Sequence, residues 1–285
     1  NLKQMNYPDN YLWDLKNKVQ LTNIGTTSNQ LTEQNDLDYT LVVDSYLSWD
    51  VLPKIEEHNL SVTAGYNQEY RRYHWASAMA QDVLSSSTPT FDAAATPSSM
   101  KGNSTDNAVR SFFGRINYDY KSRYIFEANL RADGSSRFAP GHRWGFFPSG
   151  AFKWNISNEK FMRNYRWIDN LALRLSAGKT GNDAIAAYRS LGVYSSSTNG
   201  AVFEGSQGTG FYPSRVPNPD LTWEKTTMYN LGVDFSVFKD RLSLTVDAYY
   251  SRTNDLLLTL KTIQSTGFEN RFTNLGQTSN RGVEV

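Results

Sequence analysis

The amino-acid sequence predicts an all-β protein, an antiparallel up-and-down transmembrane β-barrel segment of about ten strands that would be open if it stood alone. Three observations favour this fold class. Apolar and polar residues alternate with a period of two over long segments, short and long connections alternate along the chain, and the polar sides of the segments carry full charges. Successive side chains of a strand point to opposite faces, so each such strand has one apolar and one polar face.

The composition excludes several classes of protein. The 285 residues include 29 basic and 28 acidic side chains, and the net charge of +1 argues against a nucleic-acid partner. No apolar run approaches the roughly 18 residues of a transmembrane helix. The chain has no cysteine, and its three histidines, His58, His74 and His142, are far apart in sequence. We therefore expect no metal site, no cofactor and no enzymatic activity.

The predicted strands follow one another through most of the chain. In the clearest, 241–250, Leu242, Leu244 and Val246 share one face, and Ser243 and Asp247 lie on the other. Many of the segments reach about 10–14 residues, long enough to cross a bilayer when tilted. The ten strands cover residues 12–25, 39–50, 60–67, 112–120, 123–133, 145–157, 171–178, 228–238, 241–250 and 271–285.

The connections between these strands differ in length in a regular way. The short ones are 53–59, 120–122, 158–168 and 239–240, and the long ones are 26–36, 73–107, 135–143, 182–221 and 256–270. Successive connections of a meander fall at opposite ends, so all long loops would lie at one end. Outer-membrane barrels are built this way, with short periplasmic turns and long extracellular loops, whereas such long loops are rare in compact soluble domains.

Two turns predict strand register. A two-residue turn at 239–240 places Val237 opposite Leu242 and pairs polar with polar residues on the other face. A three-residue turn at 120–122 places Tyr118 opposite Tyr124 and sets Arg115 opposite Glu127.

The charged faces predict a water-filled lumen, and the apolar faces predict contact with lipid. Aromatic residues cluster near strand ends, which is where the interfaces of a bilayer favour them. A soluble β-sandwich also alternates in this way, with its apolar faces packed together, so a soluble β-sandwich or surface-adhesion module stays open as an alternative. The lumen-lining candidates are Arg115, Asp119, Glu127, Arg131, Asp133, Asp234 and Asp247.

Several motifs in a fixed order resemble the SusC/RagA branch of TonB-dependent outer-membrane receptors. They run from residue 111 to the end of the chain, and residues 1–110 match more loosely. The motifs are RADGSSRF at 131–138, RWGFFPS at 143–149, AFKWNIS at 151–157, LRLSAGKTGN at 173–182, NPDLTWE at 218–224, YNLGVDF at 229–235, VDAYY at 246–250, NDLLL at 254–258, TGF at 266–268, NLG at 274–276 and NRGVEV at 280–285.

The resemblance implies a barrel of about 22 strands closed by an N-terminal plug domain. It also implies import of oligosaccharides, or in some branches peptides, with energy passed on by the TonB complex and with a SusD-like surface lipoprotein as lid. Residues 1–285 would be one partial barrel domain in the outer membrane, in contact with its lipid. We find no plug, TonB box or signal peptide in them. A passive porin is a further alternative, which the motifs disfavour.

Aromatic residues in two of the long loops are the candidates for ligand binding. Aromatic rings flanked by hydrogen-bonding groups suit the faces of sugars, although loop packing or contact with a lid would use the same residues. The candidates are Tyr73, His74, Trp75 and Phe91 in the first loop and Tyr188, Tyr194, Phe203, Phe211 and Tyr212 in the second.

Overall fold

The computed structural model describes residues 2–4, 20–24, 28–51, 57–83, 90–165, 167–203 and 206–285. These residues form fifteen strands and four short 3-10 helices, so the all-β prediction is confirmed. The strands are β1 Leu2–Gln4, β2 Gln20–Ile24, β3 Ser28–Asp50, β4 His58–Val83, β5 Ala94–Tyr120, β6 Tyr124–Ser135, β7 Trp144–Asn155, β8 Ile168–Asn182, β9 Val193–Phe203, β10 Ser206–Arg215, β11 Glu224–Val237, β12 Leu242–Asn254, β13 Leu257–Lys261, β14 Asn270–Asn274 and β15 Gln277–Glu284. The helices are Phe91–Ala93, Ile156–Asn158, Lys160–Asn164 and Gln264–Thr266.

One sheet carries most of the strands, in the order β1-β3-β4-β5-β6-β7-β8-β11-β12-β15, with β2 paired to β3. Two separate hairpins, β9–β10 and β13–β14, are inserted between neighbouring strands of this order. Every described register is antiparallel, as an up-and-down meander requires. Within the described residues no pairing joins β1 to β15, so the sheet stays open, as predicted.

The chain divides into two compact units. The first consists of Asn1–Val43 and Gln68–Ala108, and the second of Asp44–Asn67 and Val109–Val285. Strands β3, β4 and β5 contribute residues to both units. The first unit therefore holds the first part of β3, the last part of β4 and the first part of β5.

Two predicted long loops are largely strand, and those predictions were wrong. The predicted loop 73–107 contains the end of β4, up to Val83, and the start of β5, from Ala94. The predicted loop 26–36 contains the beginning of β3, at Ser28. These stretches carry polar residues on both faces, and a strand that is polar on both faces leaves no period-two signal.

Two of the other long connections also contain strand. The connection 182–221 carries the hairpin β9–β10, and 256–270 carries β13. The predicted strand 271–285 is divided between β14, which pairs with β13, and β15, which joins the main sheet. Of the predicted strand 12–25, only 20–24 lies within the described residues, where it forms β2.

The register predicted across the β11–β12 turn is confirmed. Val237 pairs with Leu242 and Gly232 with Asp247, although the turn spans the four residues 238–241 rather than two. Phe238 and Lys239 begin this turn with φ of 59° and 60°, in the left-handed region.

The register predicted across the β5–β6 turn was wrong by two residues. Tyr120 pairs with Tyr124, and Glu127 pairs with Asn117 rather than Arg115. The turn consists of residues 121–123 and places Lys121 and Ser122 at φ of 55° and 52°. A slip of two residues keeps every side chain on its predicted face, whereas a slip of one would have reversed the faces.

No helix among the described residues is long and apolar enough to span a membrane.

Candidate functional site

One face of the second unit is an exposed apolar surface. The register places Phe126, Phe152, Leu175, Leu231 and Ala248 in one row across β6, β7, β8, β11 and β12. Phe126 and Leu231 keep 47% and 46% of their surface exposed, although both lie in the middle of the sheet. An apolar surface of this extent marks contact with lipid or with another protein. We call it the apolar face.

A groove of about 860 Å³ lies on this apolar face. Its floor consists of the small residues Ala128, Gly150 and Ala177, and its sides include Phe126 and Tyr229. Of the residues that line the groove only Glu127 is charged, and its carboxylate pairs with Arg115. We therefore do not assign the solute site to it.

The opposite face of the second unit carries charges that neutralise one another, and we call it the polar face. Arg115 Nη2 lies 2.8 Å from Glu127 Oε2, and Asn129 donates to the other carboxylate oxygen over 2.7 Å. Arg131 contacts Asp133 at 2.7 Å. These pairs lie side by side on β5 and β6, so this part of the wall offers hydrogen-bonding groups with little net charge.

A second group of charges spans three strands of the polar face. Arg174 on β8 donates two hydrogen bonds to Asp234 on β11, at 2.8 and 3.0 Å, and one to Asp247 on β12, at 3.1 Å. Thr245 donates to Asp234 at 3.3 Å. The second oxygen of Asp247, Oδ1, is buried and has no hydrogen-bond partner among the described residues.

The seven lumen-lining candidates all lie on the polar face, and the structure joins six of them into ion pairs. Asp119 differs, since its carboxylate accepts a hydrogen bond from the backbone N–H of Ser122 at 2.7 Å and so stabilises the β5–β6 turn. Sequence analysis did not single out Arg174, although a lone arginine between Leu173 and Leu175 on a predicted strand was a usable signal.

The core of the second unit lies among its long connections. Phe138 from the β6–β7 connection packs against Trp223, which is 4% exposed, with ring centroids 5.4 Å apart. Phe147 meets the same indole edge-on at 5.3 Å. Ile185 and Leu221 complete this buried cluster, which we call the loop core.

Polar contacts fix the connections that surround the loop core. Ser135 donates to Asp183 at 2.7 Å, and Arg137 donates to the backbone carbonyl of Asp183 at 3.0 Å. Asn218 donates to the carbonyl of Phe272 on β14 at 2.8 Å. The β6–β7, β8–β9 and β10–β11 connections and the β13–β14 hairpin are therefore held together as one ordered assembly.

The β9–β10 hairpin presents aromatic residues to solvent. Tyr194 pairs with Pro213, and Phe211 lies two residues away on the same face, with exposures of 72% and 76% for the two rings. Tyr212 is half exposed on the other face. Phe203 ends β9 opposite Ser206.

One arginine attaches this hairpin to the preceding turn. Arg215 donates to the carbonyls of Tyr188, at 2.9 Å, and Leu191, at 3.2 Å. Tyr188 has a φ of 62° and is 42% exposed. Burial away from water, with Arg189 as a nearby like charge, lowers the pKa of Arg215. These contacts set the position of the aromatic hairpin relative to the loop core.

Three of the predicted loop residues lie in a strand, so their placement in a loop was wrong. Tyr73, His74 and Trp75 belong to β4. Tyr73 donates its hydroxyl to Asp36 on β3 at 3.1 Å, and His74 is exposed. Phe91 lies in the connection between β4 and β5, as predicted.

The first unit has an ion-pair arrangement that sequence analysis missed. Arg71 binds Asp38 through two hydrogen bonds, at 3.0 and 2.7 Å, and Arg72 binds Asp106 likewise, at 2.7 and 3.1 Å. Adjacent residues of a strand point to opposite faces, so each face of β4 carries one of these pairs. Both faces of this part of the sheet are therefore suited to water.

The described residues contain no group of three or more histidines or carboxylates that could hold a metal ion.

Long antiparallel strands with an exposed apolar face, a charged opposite face and short turns at one end define the wall of an outer-membrane β-barrel. The family model described as "TonB dependent receptor-like, beta-barrel" matches residues 2–285. The chain therefore belongs to the β-barrel family of TonB-dependent receptors, which are proteins of the bacterial outer membrane.

Individual relatives agree with this assignment. TonB-dependent receptor P39 of Formosa agariphila is 44% identical over 181 residues, which are 64% of this chain and 17% of that protein. TonB-dependent receptor SusC of Bacteroides thetaiotaomicron is 38% identical over 187 residues, 63% of this chain and 18% of SusC. The chain thus spans less than a fifth of the length of each of these two relatives.

A solved structure supports the same branch of the family. The RagAB peptide importer in its closed-closed state matches with a TM-score of 0.83 and 27% identity, over 91% of this chain and 28% of that chain. The open-open state of the same importer matches with a TM-score of 0.76. The prediction of a SusC/RagA-type receptor is confirmed.

Proposed function

We propose that this chain supplies part of the barrel wall of an active importer, with its polar face toward the solute path and its apolar face toward lipid. The observation that carries the proposal is the contrast between these faces. Phe126 and Leu231 are exposed on one side, and Arg115–Glu127 and Arg174–Asp234 pair on the other. A charge in hydrocarbon costs several kcal/mol, so this arrangement favours only one orientation.

We further propose that the solute is an oligosaccharide or a peptide. The resemblance to the SusC/RagA branch implies these two classes, and the similarity to the RagAB peptide importer supports the second. Both classes suit a wall of paired charges with abundant hydrogen-bonding groups. No residue of the polar face is assigned to breaking a bond. The chain acts as a conduit.

The plug, its contact with the TonB complex and a SusD-like lid complete the proposed importer. The chain covers 17% and 18% of two receptor relatives, so we place the plug and its TonB contact in other parts of the receptor. The lid would meet the long connections. The exposed aromatic hairpin, where Tyr194 and Phe211 face solvent, is the proposed contact for both the solute and the lid.

The hairpin assignment is tested in the full receptor with the variant Tyr194→Ala/Phe211→Ala/Tyr212→Ala. We expect ligand affinity or uptake to fall at least about tenfold, since each of the three lost aromatic contacts is worth about 0.5–1.5 kcal/mol. Uptake of labelled ligand by cells and the amount of receptor in the outer membrane are measured together.

The matched control changes three exposed apolar residues to alanine in the connection that follows β12. These residues are Leu258, Leu260 and Ile263. It should keep wild-type uptake. Unchanged affinity and uptake in the aromatic variant would refute the hairpin assignment. Uptake that persists after the proton-motive force is collapsed would refute active import and favour a passive porin.

A further inference from the structure

Two neighbouring short turns carry exposed cations. The turn between β7 and β8 presents Lys160 and Arg163, and the turn between β11 and β12 presents Lys239 and Arg241. Within the described residues, none of these four cations forms an ion pair, in contrast to Lys121 and Arg123 of the β5–β6 turn, which pair with Glu57 and Glu159. We call these four residues the basic turn pair.

The nearby carboxylates have other partners. Asp240 accepts a hydrogen bond from Ser236 at 2.6 Å, and Asp169 accepts one from the backbone N–H of Asp240 at 3.0 Å. Glu159 accepts hydrogen bonds from Tyr124, at 2.6 Å, and from Trp154, at 3.1 Å. The cations of the basic turn pair are therefore free to meet an external anion.

Backbone contacts hold the two turns side by side. The N–H of Phe238 donates to the carbonyl oxygen of Trp167 at 3.3 Å, and the contact between Asp240 and Asp169 adds a second link. The four cations thus belong to one surface rather than to two independent loops.

Exposed aromatic rings lie on the same two turns. Phe161, Tyr165, Trp167 and Phe238 are between 51% and 60% exposed. Trp167 meets Phe235 edge-on at 6.5 Å, and Phe235 pairs with Leu171 and Leu244 on the apolar face. The aromatic rings therefore continue the lipid-facing surface up to the turns, and aromatic residues in such a position lie at headgroup depth.

We propose that the basic turn pair binds the phosphate of an anionic phospholipid in the periplasmic leaflet of the outer membrane. Short turns of outer-membrane barrels lie on the periplasmic side, and cations at headgroup depth attract anionic lipid. Continuity with the apolar face favours a lipid over a soluble periplasmic protein, because the aromatic rings would lie among its acyl chains. The inference rests on the orientation of the two faces proposed above.

The test uses the purified, delipidated full receptor with native mass spectrometry as readout. Phosphatidylglycerol and phosphatidylcholine of equal chain length are added separately. We expect the wild-type receptor to retain phosphatidylglycerol roughly tenfold better, and salt to weaken this preference through screening. The variant Lys160→Gln/Arg163→Gln/Lys239→Gln/Arg241→Gln should retain both lipids equally.

The matched control neutralises four exposed cations that lie outside the short turns, Lys101, Arg110, Lys261 and Arg271. It should keep the preference for phosphatidylglycerol. The pairs Lys160→Gln/Arg163→Gln and Lys239→Gln/Arg241→Gln are also prepared separately, in case the fourfold variant does not insert, and each should reduce the preference.

Equal retention of the two lipids by the wild-type receptor would overturn the proposal without any variant. A preference that survives in the folded variants would also overturn it, since the lipid would then bind elsewhere. Displacement of phosphatidylglycerol by an equal concentration of glycerol 3-phosphate would identify a general anion site and contradict lipid binding. Unchanged uptake in the hairpin experiment would refute the hairpin assignment and leave the lipid preference intact, so the two proposals fail separately.

Discussion

The indole Nε1 of Trp223 donates a hydrogen bond to the backbone carbonyl oxygen of Arg143 over 2.8 Å, although 80 positions separate the two residues. Trp223 is 4% exposed, and it lies between the rings of Phe138 and Phe147. This one side chain therefore links the start of β11 to the β6–β7 connection and fills the loop core.

Replacement of this indole should loosen the long connections. Trp223→Phe removes one of the two hydrogen bonds that the Arg143 carbonyl accepts, the other coming from the Ser135 N–H at 3.1 Å, and should cost about 0.5–1.5 kcal/mol. Trp223→Ala should cost about 3–5 kcal/mol through the cavity it creates. Thermal unfolding of the full receptor and proteolysis within residues 136–143 measure the effect. Trp144→Phe, at a side chain 55% exposed, should change stability by less than about 0.5 kcal/mol. Equal effects at both positions would contradict the role of the loop core.

The ring of Phe147 occupies the space beside two glycines. A Cβ atom at Gly181 would lie 2.0 Å from Phe147 Cζ, and one at Gly145 would lie 2.3 Å from the same atom. Phe147 is 7% exposed and rests against Trp223, so it cannot easily move aside. Gly181→Ala should therefore destabilise the receptor by about 1–3 kcal/mol.

A second substitution checks this cause. The variant Phe147→Leu lacks the aromatic ring. In that background Gly181→Ala should lower the free energy of unfolding by about 0.5–3 kcal/mol less than it does in the wild type. The comparison requires the melting temperatures of four receptors: the wild type, Gly181→Ala, Phe147→Leu and the double variant. If the effects of the two substitutions on stability simply add, the glycine is required for a reason other than the ring of Phe147.

Stability should depend on pH through Glu159, which lies between two 3-10 helices of the β7–β8 turn. The Tyr124 hydroxyl and then the Trp154 indole donate to this carboxylate, and Arg123 lies nearby, so the pKa of Glu159 falls below its ordinary value of 4.5. Because the folded-state pKa is the lower one, the contribution is fully present above pH 4.5 and is lost as the pH falls through the folded value. Glu159→Gln should lower the melting temperature at pH 7 and flatten its decline below pH 4.5. A parallel decline in wild type and variant would reject this carboxylate as the cause.

The orientation of the two faces can be measured by cysteine labelling, because this chain contains no cysteine of its own. Asn230 and Leu231 are adjacent on β11, so their side chains point to opposite faces. In a cysteine-free receptor in membranes, a water-soluble maleimide should label Asn230→Cys and leave Leu231→Cys unmodified. After denaturation both should react equally. The reverse pattern in membranes would exclude the proposed orientation.

The membrane-crossing strands could be predicted from sequence, since lipid on one side and water on the other impose the period of two. Leu171, Leu173 and Leu175 on β8 match Phe235, Val233 and Leu231 on β11, and the predicted segments 171–178 and 228–238 contain them. The parts of β3, β4 and β5 that lie in the predicted loops 26–36 and 73–107 could not be found in this way. Arg71 and Arg72 are both charged and point to opposite faces, so alternation is lost where water meets both faces.

The loop core also escaped sequence analysis. Phe138, Leu221 and Trp223 lie in stretches rich in glycine, proline and polar residues, whose local pattern indicates loops. Their burial depends on contacts between connections far apart in sequence, as the Trp223–Arg143 bond illustrates. The quoted motifs at 131–138 and 218–224 contained these residues, but a resemblance gives no physical reason for their positions.

The paired arginines of β4 have a consequence for assembly. In the orientation proposed above, the parts of β4 and β5 that carry Arg71, Arg72 and Asp106 must cross the hydrocarbon layer to reach the cell exterior. An unpaired charge in that layer has a high free-energy cost. Each guanidinium here is paired with a carboxylate of an adjoining strand, Asp38 or Asp106. Strand pairing before translocation would therefore lower the barrier, which gives the order of hairpin formation and membrane passage an electrostatic basis.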